Sequence, residues 1–203
     1  IKLHQRSIFS MKKKICIIFS LFLICLLPIN VVHAADIELN DIAIKATLYD
    51  DGSAHIKEVW DIDVYEGTEI YKVFENMGDS KISHYQNIGS WDTDVDKDEK
   101  NGKCGIIQDD DYYELCFGIG EYGDRTYTFE YDISNFVQQY EDQTQGFNYA
   151  FFSEMELEPQ HVKIILDSPY EFNKDNAQIW AFGYYGNVKF QNGQVIMETS
   201  ESV

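Results

Sequence analysis

The sequence is short of positive charge, of cysteine and of any motif that announces catalysis. Of the 16 lysines and arginines among 203 residues, five fall in residues 1–34, and Arg125 is the only arginine beyond them. All 35 acidic residues lie after residue 34, so that part carries 11 − 35 = −24. A surface this negative repels phosphate backbones and anionic lipid, so nucleic acid is not a partner to expect. It suits a solvated extracellular domain, one able to collect cations.

Catalytic signatures are also missing. There is no G-x-S-x-G and no H-E-x-x-H. Beyond residue 34 the histidines are His55, His84 and His161, of which His55 and His161 fall on the polar parity of their strands. With 35 acidic residues, many carboxylate pairs can arise in space, so a carboxylate-based hydrolase is neither indicated nor removed. No enzyme is expected. Long helical periodicity is absent too, the one candidate being "ISNFVQQYED", Ile133 to Asp142, which reads equally as a connection carrying one helical turn. No repeat and no Pro/Gly/Ser linker divides the chain.

Residues 1–10 lack an initiating methionine and read as upstream or fragment-edge sequence. From Met11 the pattern is that of a secretory signal over 11–34. Lys12, Lys13 and Lys14 form the basic start, Ile15 to Leu27 the apolar run, and Val32 and Ala34 the small-residue cleavage pattern. The apolar run is shorter than the roughly 20 residues that span a bilayer. Cleavage after Ala34 is expected, leaving residues 35–203 as one extracytoplasmic domain. Cys16 and Cys25 leave with the signal. Cys104 and Cys116 stay, and in an oxidising compartment the turn-rich "CGIIQDDDYYELC" reads as a hairpin stapled by a disulfide.

What the sequence has in quantity is strand and turn. In "DIAIKATL", Ile42, Ile44, Ala46 and Leu48 share a face; in "RTYTFEYDI", Tyr127, Phe129, Tyr131 and Ile133 do. Val162, Ile164 and Leu166 repeat the pattern, and strands are read in "AQIWAFGYYG" and "VKFQNGQVIME". Asp51-Gly52 and Asn192-Gly193 mark hairpin turns. The fold class expected is all-β, an antiparallel β-sandwich with at most one short helix, preceded by the signal peptide.

Three sets of residues invite a functional reading. Asp92, Asp94, Asp96 and Asp98 alternate in the acidic run Trp91 to Lys103 and are the candidate calcium ligands. That run fails the EF-hand template at Lys97 and Lys103, so a solvated loop is the preferred reading, and no cofactor beyond calcium is suggested. Trp180, Tyr184 and Tyr185 are the candidate binding surface, a carbohydrate platform, set against the more usual reading of Trp180 and Phe182 as the inner face of a strand. Glu58 sits in the apolar register of Ala54, Ile56, Trp60, Ile62 and Val64. A buried carboxylate needs a partner, and Arg125, in step with Tyr127 and Phe129, is the candidate for a structural bridge.

The segments "IELNDIAIKATLYDDGSAHIKEVWDIDV", "RTYTFEYDISNFVQQYEDQTQGFNYAF" and "VKIILDSP" resemble the N-terminal extracytoplasmic domain of the bacterial DUF2207 family, over Asp36 to Thr199. The resemblance implies a β-sandwich held outside the membrane by a following transmembrane helix, with a cytoplasmic part beyond. It supplies no catalytic residues and places Glu58 in a structural role. This chain departs from it in ending at "METSESV" before any anchor, and in carrying Cys104 and Cys116. The function expected is a non-enzymatic binding or sensing module of a membrane-anchored envelope protein, with an envelope protein or glycan as partner. The alternative is a freely secreted carbohydrate- or calcium-binding domain.

Overall fold

The computed structural model describes residues 37–85, 91, 94–109, 112–151, 158–183 and 185–200. Residues 11–34, read from the sequence as a signal peptide, and Asp92 and Tyr184 lie outside the described residues. Among the described residues, twelve strands and one short helix follow in order. They are β1 Ile37–Leu48, β2 Ala54–Val64, β3 Glu69–Phe74, β4 Ile82–Ser83, α1 Lys97–Lys100, β5 Cys104–Asp109, β6 Tyr112–Gly118 and β7 Gly123–Ile133. After them come β8 Gln138–Gln139, β9 Gln145–Gly146, β10 His161–Asp167, β11 Gly186–Gln191 and β12 Gln194–Thr199.

The large sheet has the order β11-β12-β10-β1-β2-β7-β4, and a second sheet has the order β3-β6-β5. The two turns read from the sequence start its hairpins. Asn192 and Gly193 both have positive φ, 54° and 77°, the geometry that a two-residue turn matched to strand twist requires. Asp50, Asp51 and Gly52 make a three-residue loop with Gly52 left-handed at φ 80°, closed by Tyr49 N donating to Ser53 O at 2.9 Å. One pairing departs from the antiparallel expectation. β1 runs parallel to β10, Asp41 opposite His161 through Thr47 opposite Asp167, so the large sheet is mixed. Parallel neighbours are joined by long connections, and alternation within each strand carries no trace of such a partner.

Alternation does set which side is buried. Ala54, Ile56, Glu58, Trp60, Ile62 and Val64 of β2, Tyr127 to Ile133 of β7, and Val162, Ile164 and Leu166 of β10 all turn to one face. A register shift between Leu39 and Asp41 lets β1 bury Leu39 as well as Ile42, Ile44, Ala46 and Leu48. The small sheet meets that face through aromatic edges. Phe117 lies edge-on to Tyr127 at 5.1 Å and to Phe129 at 6.3 Å, and Phe74 lies edge-on to Tyr131 at 5.3 Å. Such pairs contribute about 0.5–1.5 kcal/mol each beyond area burial.

Two local expectations are corrected. Ile133 to Asp142 is not a helix: it leaves β7, turns, and forms β8 against β9. Phe136 from this stretch stacks on Phe147 and Tyr149, and burying that aromatic ring decides the conformation. Residues 177–186, read as a strand, form none among those described before Gly186 opens β11.

Candidate functional site

Glu58 is 0% exposed, and its two carboxylate oxygens are fully used. Trp60 Nε1, two residues along the same face, donates to Oε2 at 2.9 Å. Lys72 Nζ donates to Oε1 at 2.5 Å, and the Tyr131 hydroxyl donates to the same oxygen. Lys72 is itself 6% exposed and also donates to the carbonyl of Phe151 at 2.9 Å. One carboxylate thus joins β2, β7, β3 and the segment carrying Phe151. Burial first, and Glu58's charge second, push the Tyr131 phenol well above its ordinary range, so it stays a donor. The same two causes raise Tyr149. With a positive partner and three donors, the carboxylate satisfies the conditions under which a buried charge is tolerated.

The bridge to Arg125 is therefore corrected. Arg125 lies opposite Ile62, whereas Glu58 lies opposite Phe129. Its guanidinium turns outward to Glu121, Nη2 to Oε2 at 3.1 Å, and to backbone carbonyls of the same turn. Lys72 was legible by the argument that found Glu58. In "EIYKVF" it sits between Ile70 and Phe74 on the apolar parity of β3.

The histidines lie on the other face of the large sheet. His55 Nδ1 is 2.6 Å from Asp132 and its Nε2 is 3.2 Å from Glu130. His84 Nδ1 is 2.8 Å from the second Asp132 oxygen, and His161 Nδ1 is 2.6 Å from Asp41. Ser83 Oγ stands 3.4 Å from His84 Nδ1, too long for a strong bond and on a nitrogen already facing Asp132. These are histidine–carboxylate contacts of a solvated sheet face.

The acidic run folds over the outer side of the small sheet. α1 begins after Asp96, and Asp98 lies in its first turn. Lys100 is buried, with Nζ 3.1 Å from Glu69 Oε2 and 3.2 Å from Thr68 Oγ1. Among the described residues no group of three or more His, Cys, Asp or Glu gathers as a metal site. The close approach is made possible by glycine: a Cβ on Gly118 would lie 1.9 Å from the Lys100 carbonyl oxygen, and one on Gly105 would lie 2.4 Å from Trp91 Cβ. Cys116, between those positions, is buried beneath this cover.

The expected disulfide is corrected by register. Cys104 lies opposite Phe117, and Cys116 opposite Gly105, a one-residue offset. Successive side chains leave a strand on opposite faces, so Cys104 turns toward the Phe117 side and Cys116 toward α1. Both are thiols, not bonded to each other. Burial, followed by the Glu114 carboxylate, pushes the Cys116 thiol far up, away from the thiolate that reacts.

Trp180 is 69% exposed, and Phe182 and Tyr185 are each 89% exposed. The reading of Trp180 and Phe182 as an inner strand face is thus overturned. From Ala177 to Val188 there is no charged residue, in a chain where charged residues make up 25%. Backbone bonds tie this loop to the last strand: Gly186 pairs with Thr199, and Ser200 N donates to Tyr185 O at 3.1 Å.

A family model described as "Predicted membrane protein (DUF2207) N-terminal domain" matches residues 38–203. The chain belongs to the DUF2207 family. No curated protein matches the sequence. Among solved structures, the chain is similar to a putative protease from Parabacteroides distasonis, at 12% identity and TM-score 0.41 over 84% of this chain and 36% of that one. It is also similar to an M1 zinc metallopeptidase from Deinococcus radiodurans, at 12% identity and TM-score 0.36 over 81% of this chain and 38% of that one. The chain thus spans well under half the length of these matched structures. No helix among the described residues is long and apolar enough to cross a membrane.

Proposed function

We propose that this chain is the extracytoplasmic, non-enzymatic binding domain of a membrane-anchored DUF2207 protein, a two-layer β-sandwich exported by the signal over residues 11–34. The single observation that carries this reading is where the chain spends its unusual residues. Its buried charge pair, Glu58 and Lys72, is consumed in bracing one sheet against the other, and buried Lys100 is turned to Glu69. Three well-exposed aromatic rings, Trp180, Phe182 and Tyr185, stand in one uncharged loop. Exposed aromatic clusters mark contact surfaces, because rings supply large apolar area at little cost in side-chain freedom.

The second reading, a secreted carbohydrate-binding domain, draws on the same rings, since sugars stack on exposed tryptophan and tyrosine. A calcium-binding version has less support, because Lys100 of the acidic run is already turned inward to Glu69.

The test is to express the chain in a bacterial host and find its mature form. Amino-terminal sequencing should begin at Ala35, and the product should be cut by protease added outside the cytoplasmic membrane. A chain that keeps residues 11–34 and stays protected inside the cell overturns the assignment.

A further inference from the structure

We infer that β11, the edge strand Gly186–Gln191, pairs with β11 of a second copy of this chain around a two-fold axis at Val188. The two large sheets then join into one.

β11 ends the large sheet: β12 lies on one side of it and, among the described residues, no strand lies on the other. Every residue of β11 except Phe190 is exposed. An open edge of this kind is a template for another strand. The hairpin turn decides which backbone groups stand open. Asn192 and Gly193, both at positive φ, make a two-residue turn, so Gln191 and Gln194 are a hydrogen-bonded pair. Bonded and non-bonded pairs then alternate along the ladder. Gln191, Lys189 and Asn187 therefore aim their N–H and C=O groups at β12, and Phe190, Val188 and Gly186 aim theirs outward.

This outward set is self-complementary. Residues directly opposite in an antiparallel pair share a face, so the axis of a symmetric pair passes through a residue. Placed at Val188, it sets Val188 against Val188 of the second copy and Gly186 against its Phe190. Every outward N–H and C=O on both strands is then used. Side chains fit the same register. Gly186 leaves a bare place on the inner face, since a Cβ there would collide with the Glu198 carbonyl, and the second copy's Phe190 ring covers it. On the outer face Lys189 of the second copy comes opposite Asn187, in one row with Glu198 and Lys163, so signs alternate across the seam. An axis at Lys189 would set lysine against lysine, over backbone groups already turned to β12.

Charge points to the same edge. From Asn176 to Met197 there is no acidic residue, and Lys189 is the one charge, in a chain with 35 acidic residues. Copies that repel each other elsewhere can approach here. The far end of the large sheet is different: β4 covers only Asp132 and Ile133 of β7, and β7 brings Asp124, Glu130 and Asp132 to any pairing of copies there.

The test is sedimentation equilibrium of residues 35–203, a compact unit by themselves, at rising concentration. The mass should climb from one chain toward two. Val188→Pro removes an outward N–H and no bond to β12, so it should weaken association at least about tenfold with an unchanged circular dichroism spectrum. Single cysteines read the register. Under oxidant, Val188→Cys should form a covalent dimer at least about tenfold faster than Lys189→Cys, because the axis brings only the Val188 positions within disulfide reach. Cys104 and Cys116 are buried and do not compete. A single-chain mass at every concentration overturns the inference. So does a dimer undiminished in Val188→Pro, or equal crosslinking of the two cysteine variants.

Discussion

Lys72 of β3 donates to Glu58 of β2 at 2.5 Å, a charge pair enclosed between the two sheets. Both residues lie on the apolar parity of their strands, and each explains the other. A carboxylate among Ile56, Trp60 and Ile62 is intolerable alone. Beside a buried ammonium, an indole N–H and a phenol it becomes a crosspiece.

Removing one member should therefore be costly. Glu58→Gln and Lys72→Met are each expected to lose about 3–5 kcal/mol in urea unfolding, because the remaining charge is left uncompensated. The double variant should lose far less than the sum. Arg125→Gln, on the surface, should change stability by no more than about 0.5 kcal/mol and add simply to Glu58→Gln. Coupling between Glu58 and Arg125 would contradict the geometry.

The thiols should stay unlinked even under oxidising conditions. Intact mass of residues 35–203 held in oxidising buffer is expected to show two thiols, and reductant should leave the melting temperature unchanged. Alkylation of Cys116 should be slow in the native state, since burial and Glu114 hold it as the protonated thiol. A product lighter by two hydrogens would mean that β5 and β6 re-register.

Gly118→Ala probes the cover over Cys116. Its Cβ has no room beside the Lys100 carbonyl, and backbone must shift to admit it. A loss of about 1–3 kcal/mol is expected, as for other overpacking, together with faster alkylation of Cys116. An unchanged alkylation rate would show that α1 does not shield the thiol.

Asp63 and Asp124 face each other across β2 and β7, and hydrogen bonding and repulsion from Asp63 raise the Asp124 carboxyl above its ordinary range. A raised acid favours folding only below its unfolded pKa, and that contribution is lost as pH climbs through the folded value. Asp124→Asn should therefore raise the melting temperature at pH 7 and bring no gain in acid, below the ordinary carboxylate range. Equal melting at pH 7 would show that the two carboxylates do not interact.

Much of this was legible from period two alone. The inward faces of β1, β2, β7 and β10, the Asp51-Gly52 and Asn192-Gly193 turns, and Glu58's need of a partner follow from alternation and turn chemistry. The partner itself did not, because Arg125 matched by charge and parity while its strand position, opposite Ile62, is a matter of register. Register also governs the cysteines: a hairpin brings them near, and a single residue of offset sends them to opposite faces. The aromatic loop misled for a different reason. Alternating Trp180 and Phe182 imitate a buried strand, yet among the described residues the chain there joins no strand before Gly186 meets Thr199.

The central claim is that this loop, and not the enclosed Glu58 assembly, is where the protein meets its partner. The most direct measurement is sedimentation of the exported chain with isolated bacterial envelopes, comparing the wild type with Trp180→Ala/Phe182→Ala/Tyr185→Ala. The account predicts that the triple variant stays in the supernatant while its urea midpoint matches the wild type. Undiminished sedimentation of a folded triple variant would contradict it.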